Sequence, residues 1–87
     1  RVIGIVKGML KNGEPVIDVK NCFKAGEVLE VLPVKQSLSP FQVTFTSLSD
    51  LSGNEVANAP SNRLVRGKTT VKLRPGDMLR KLSQGQS

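Results

Sequence analysis

The run VIGIVKGMLKNGEPVIDVK occupies residues 2–20 and places two apolar segments on either side of Asn12-Gly13. Asn-Gly is the strongest short-range signal for a tight β-hairpin, because both residues tolerate positive φ. Val2 to Met9 therefore reads as one strand and Pro15 to Lys20 as its partner. Successive side chains on a strand point to opposite faces. Ile17 and Val19 then share one face while Asp18 and Lys20 share the other. Such alternation belongs to a strand with one side on a core and the other in water.

The same pattern continues downstream. In NCFKAGEVLEVLP, residues 21–33, Ala25-Gly26 supplies a turn and VLEVL a strand, with Leu29 and Val31 opposed to Glu30. Pro33 ends the pairing, since it has no N–H to give to a ladder. KQSLSP, residues 35–40, has loop composition. Phe41 to Leu48 (FQVTFTSL) sets Phe41, Val43 and Phe45 against Gln42, Thr44 and Thr46, and reads as one half-buried antiparallel strand. Asp50 to Asn54 (DLSGN) is a turn cluster, and residues 55–62 read as a short strand and loop around Pro60. Lys68 to Arg74 (KTTVKLR) alternates again, which predicts a strand with Thr69, Val71 and Leu73 inward. Pro75-Gly76 suits the central positions of a type II turn. Met78 to Leu82 reads as a closing strand, with a short helix as the competing reading, and residues 83–87 as a frayed tail.

Six or so short strands with turn signals about every 8–12 residues predict an all-β fold, a small antiparallel β-barrel or sandwich. Closure as a barrel removes the edges that invite aggregation. We expect a single domain over residues 1–82, since 87 residues fit one domain and no more. A chain of this size buries only about 60–70% of its unfolded surface, which leaves little room for an enclosed active-site cavity.

The composition bears on chemistry as well. With no histidine and a single cysteine, Cys22, the chain can build neither a Ser-His-Asp nor a Cys-His arrangement. The usual zinc sites and an internal disulfide are excluded on the same ground. Glu14, Asp18, Glu27, Glu30, Asp50, Glu55 and Asp77 sit beside turn residues or in alternating strands. There they are expected to be solvated, whereas carboxylate acid–base work needs a sheltered cleft. The fragment is thus expected to be non-catalytic, without metal or cofactor. No apolar run approaches the ~18–20 residues of a membrane span, and no charged leader with a cleavage site is present. We expect a cytoplasmic protein that continues upstream of Arg1.

The net charge of +6 is lopsided. Acidic and basic side chains cancel over residues 1–60, whereas Arg63, Arg66, Lys68, Lys72, Arg74, Arg80 and Lys81 face only Asp77 in the remainder. On a strand from Lys68 to Arg74, the side chains of Lys68, Lys72 and Arg74 would emerge from one face. A cluster of that kind attracts polyanions, with steep salt dependence. The three phenylalanines are expected in the core, so no aromatic platform remains for stacking bases. RNA contact would then run through backbone and shape. Docking onto an acidic protein surface and plain solvation are the competing readings.

The segment NCFKAGEVLE, residues 21–30, resembles the C-terminal domain of the collagenase-like peptidase family U32 in its Asn21, Phe23, Gly26, Glu27 and Glu30. Gly4 and Val6, Val19, Pro33, Asp50 with Gly53, and the ending PGDMLRKL of residues 75–82 carry the likeness over nearly the whole chain. It departs at Glu27, more often Asp in the family, and at Cys22, often polar or basic there. On their own chemistry, Gly26 supplies positive φ, Asn21 caps a turn through its side chain, and Phe23 joins the core. Glu30 and Arg80 pair across the barrel, and Cys22 behaves as a small hydrophobe.

The resemblance implies a barrel similar to domain two of elongation factor Tu, following a larger N-terminal catalytic region that holds any active site. It implies either peptidase activity or, as in several bacterial relatives, hydroxylation of transfer or ribosomal RNA, in both cases on that upstream region. The expected role of this chain is to hold substrate, RNA first. A module that docks a protein substrate or positions the catalytic region is the alternative.

Overall fold

The computed structural model describes residues 2–82, in which every regular element is a β-strand. In chain order these are β1 (Val2–Met9), β2 (Pro15–Val19), β3 (Phe23–Lys24), β4 (Val28–Leu32), β5 (Phe41–Thr44), β6 (Ser47–Ser49), β7 (Glu55–Val56), β8 (Asn58–Ala59), β9 (Leu64–Lys68) and β10 (Met78–Lys81). The opening hairpin forms as read, with Gly13 at φ 90° and Ile5 opposite Asp18. Ile17 and Val19 are fully buried, while the Lys20 ammonium donates to Asp18 Oδ2 at 3.1 Å on the outer side. The closing segment is a strand and not a helix, because β10 pairs with both β1 and β4.

Eight strands form one antiparallel sheet in the order β5-β4-β10-β1-β2-β9-β6-β7, and β3 pairs separately with β8. β5 ends that sheet on one side and β6 lies next to its other end, yet only Phe45 and Thr46 separate them in the chain. With consecutive Cα atoms about 3.8 Å apart, Thr44 and Ser47 are at most about 11 Å from each other. The sheet must therefore curl until both its ends are carried on a single segment. Its wall encloses Ile3, Val6, Ile17, Leu29, Val31, Val43, Phe45, Leu48, Val65 and Leu79. Phe23 and Ala59 from the small β3–β8 ribbon join the same core, where the rings of Phe23 and Phe45 meet at 5.9 Å and 44°, a tilted geometry favoured by ring quadrupoles.

Three sequence expectations are corrected here. The single strand foreseen over Phe41–Leu48 is interrupted at Phe45–Thr46, where the chain exchanges β4 for β9 as its partner. The corner is held by hydrogen bonds from Gly26 N–H to the Phe45 carbonyl, 2.9 Å, and from Thr46 N–H to the Lys68 carbonyl, 2.8 Å.

The strand foreseen over Lys68–Arg74 is also absent. The ladder instead covers Leu64–Lys68 and stops where Lys68 meets Ser47, the first residue of β6. Residues 69–74 bend across to β10, yet Leu73 is buried, Val71 half-buried, and Lys72 and Arg74 exposed. The period of two thus reports which side chains face the core, and it persists without a ladder partner.

The third correction is Asp77, which is 2% exposed rather than solvated. Its Oδ1 accepts from Val34 N–H and its Oδ2 from Arg74 N–H, both at 2.9 Å. That carboxylate ties two loops to the Pro75-Gly76 turn. Gly76 there has φ 95°, and Asp77 N–H donates to the Arg74 carbonyl at 3.0 Å. The expected frayed tail, residues 83–87, lies outside the described residues.

Candidate functional site

The seven cations of the last third separate into two groups. Arg80 stands opposite Glu30 in the β10–β4 register and donates from Nε to Glu30 Oε1 at 2.7 Å. The two are neighbours on adjacent strands, not partners across the interior. Lys81 Nζ lies 3.4 Å from Glu27 Oε2. Arg66 Nε lies 3.4 Å from Glu14 Oε1 and is buried without a hydrogen-bonded acceptor, so this contact is electrostatic. Arg63, Lys68, Lys72 and Arg74 are exposed and have no ion-pair partner among the described residues.

Those four do not make one row. Arg63 and Lys68 flank β9 at its two ends, about 17 Å apart at roughly 3.3 Å per residue. Lys68, Lys72 and Arg74 follow a bent segment in place of the common strand face that was expected.

The negative side of the balance is largely engaged. Glu14, Asp18, Glu27 and Glu30 each face a cation, and Asp77 is held by amides. Asp50 Oδ1 accepts from Ser52 N–H at 3.0 Å and Asn54 N–H at 2.9 Å in the β6–β7 turn. The Asn54 backbone amide is the main cause that holds the Asp50 carboxyl below its ordinary range, with the Asn54 side chain and the Ser52 and Gly53 amides assisting. Lys7, Lys11, Lys24 and Lys35 are exposed and likewise unpaired among the described residues. The surplus positive charge therefore faces solvent.

Two surface hollows adjoin these cations. Gln42, Val43, Thr44, Thr46, Thr69, Thr70 and Val71 line one of about 270 Å³, on a wall bracketed in sequence by Lys68 and Lys72. Thr46 Oγ1 donates to the Lys68 carbonyl at 3.2 Å, and Thr69 Oγ1 accepts from Val71 N–H at 3.3 Å. The hydroxyls of this hollow and the Gln42 side-chain amide are donors suited to anionic oxygens. The second hollow, about 420 Å³, is lined by Cys22, Phe23, Lys24, Glu27, Asn58, Pro60 and Lys81.

The second hollow gathers part of the motif read from the sequence, but the individual motif residues have structural work. The Asn21 side-chain amide donates to the Val2 carbonyl at 2.6 Å, latching the start of β1 where a local turn cap was expected. Gly26 has φ 87°, Phe23 is buried, and Glu27 Oε1 accepts from Lys24 N–H at 3.1 Å. Cys22 is exposed, not packed as a small hydrophobe.

The threonine wall went unread in the sequence because it joins β5 to residues 69–71, far apart along the chain. The only local trace was the outward Thr44 and Thr46. Among the described residues no group of three or more His, Cys, Asp or Glu can hold a metal ion, and no helix is long and apolar enough to cross a membrane.

Comparison with known proteins agrees with this picture. The family model for the peptidase family U32 C-terminal domain matches residues 1–80. Two crystal structures of the C-terminal domain of a Geobacillus thermoleovorans protein assigned to the U32 peptidases share the fold. One has a TM-score of 0.80 at 25% identity, covering 93% of this chain and 91% of that one. The other, a selenomethionine variant, has a TM-score of 0.79 at 25% identity, covering 93% and 99%. No curated protein matches the chain. With the family match spanning both the opening hairpin and the closing strand, this chain belongs to the U32 peptidase C-terminal domain family.

Proposed function

We propose that this domain holds substrate for the catalytic region of a U32 family protein, and that the substrate it meets is RNA. The contact runs through Lys68 and Lys72 beside the threonine-lined hollow, with Arg63 and Arg74 extending the positive field. One observation carries the reading: nearly every carboxylate is engaged by a cation or by amides, whereas these four exposed cations of the basic last third, like Lys7, Lys11, Lys24 and Lys35, have no ion-pair partner among the described residues. Phosphate oxygens supply the negative charge that the fold withholds. Recognition is then of backbone and shape, because the phenylalanines are in or against the core. Chemistry, whether on peptide or RNA, belongs to the upstream region.

A transfer-RNA titration of the domain over a salt series tests this. Affinity should fall with salt by roughly 0.7–0.9 log units per log of salt for each phosphate contact. The double variant Lys68→Glu/Lys72→Glu should abolish binding while leaving the melting temperature in place, since both side chains are exposed. Unchanged affinity in that variant removes the proposal. RNA indifference combined with binding of a protein substrate would assign the domain to protein docking instead.

A further inference from the structure

A second surface is unexplained by the RNA reading. Cross-strand partners in the register Leu32–Met78, Met78–Ile5, Ile5–Asp18 and Asp18–Leu64 lie on the outer face of β4, β10, β1, β2 and β9. Directly opposed residues share a face, so half-buried Leu32, Met78 and Ile5 and exposed Leu64 form one outward row interrupted only by Asp18. At about 4.8 Å per strand the row is roughly 19 Å long.

It is extended at both ends of β10. Val34 is 52% exposed and packs against Gly76, directly before Asp77 and Met78. Val2 is 38% exposed in the register of Arg80. A bulge between Val2 and Gly4 buries Ile3 and Gly4 together and turns both Val2 and Ile5 outward. Beside this face in sequence stand Lys7 and Lys35, exposed cations without an ion-pair partner among the described residues, and next to Val2 the Arg80–Glu30 pair.

We infer, on the reading of this domain as accessory to an upstream catalytic region, that this face docks that same region of its own chain. The contact takes an apolar patch with an acidic border, matching the apolar row and its cationic rim. The covalent path favours this occupant over a separate protein. In a C-terminal domain the preceding region leads into β1, and the first residue of β1, Val2, already lies beside the row. Interfaces between domains of one chain are more polar than obligate interfaces. An apolar row broken by one Asp18–Lys20 pair and edged by lysine and arginine has that character.

Hydroxyl-radical footprinting of the full parent chain against the isolated domain reads the side chains directly. Modification of Met78, Leu32 and Leu64 should fall severalfold in the full chain. Equal modification of Met78 in both overturns the inference. So does protection in the isolated domain that grows with its concentration, which would mean pairing of two copies. In the full chain, Ile5→Glu/Met78→Glu should restore modification of Leu64; continued protection there would equally overturn it. An outcome in which docking fails but transfer RNA still binds removes this surface alone and leaves the accessory role intact.

Discussion

Gly67 faces inward on β9, and the ring of Phe45 fills the space where its side chain would be. A Cβ added there would fall 2.8 Å from Phe45 Cε1 and closer still to Cδ1. Gly67→Ala should therefore cost about 1–3 kcal/mol through overpacking, seen as a lower urea midpoint. Combining it with Phe45→Leu should cost less than the sum of the two changes, because the pair is in contact. Asp77→Asn should destabilise by about 1–3 kcal/mol, since one of two buried amides, Val34 or Arg74, would face an NH₂ group in place of an acceptor oxygen. Neither role was legible along the chain. Gly67, between Arg66 and Lys68, carries no signal of its own in the sequence, and an aspartate after Pro75-Gly76 reads as a solvated turn residue. Both acquire their meaning from residues more than twenty positions away. Gly13, Gly26 and Gly76 were legible because positive φ is a local demand of their turns.

The β6–β7 hairpin carries its own acid sensitivity. The folded Asp50 carboxyl sits below its ordinary value because the Asn54 amide, above all, binds the ionised form. Its contribution is fully present above the unfolded carboxyl value, about 3.9, and is lost as pH falls through the lower folded value. Protection of the Ser52 and Asn54 amides, taken relative to their intrinsic exchange rates, should fall below that range while amides of β1 and β2 remain protected, as hydrogen exchange followed by NMR would show. The Arg80–Glu30 pair joins β10 to β4, but the Arg80 side chain is 44% exposed. Arg80→Ala should thus cost less than about 1 kcal/mol, typical of a solvent-exposed pair, read as a small shift of the thermal midpoint. Hairpins and turns were the most readable elements because their signals are contiguous. The segments that failed, Phe41–Leu48 and Lys68–Arg74, did so at the corner and the crossing, where alternation continues but the ladder partner changes or ends.

The curled sheet sorts the charge by bringing carboxylates on its strands and connecting turns beside particular cations. Arg66, Arg80 and Lys81 were expected on the binding surface, and the fold sets them beside Glu14, Glu30 and Glu27. Lys68→Glu/Lys72→Glu changes two exposed side chains that have no such neighbour. Transfer-RNA binding should be lost at every salt concentration, while the stability in urea stays within the spread of ordinary surface substitutions, about 0.5 kcal/mol. Composition, turn residues and the period of two were enough for an all-β chain, most of its apolar buried set and most of its turns, because turn chemistry and the facing of side chains are local properties of the backbone; the likeness to the family rested on the motif residues from Asn21 to Glu30 and their flanks. The grouping of cations into paired and free, the threonine-lined hollow and the outward apolar row came only with the folded sheet. Each depends on register between strands distant in the chain, and register is set by the packing of the closed core as a whole.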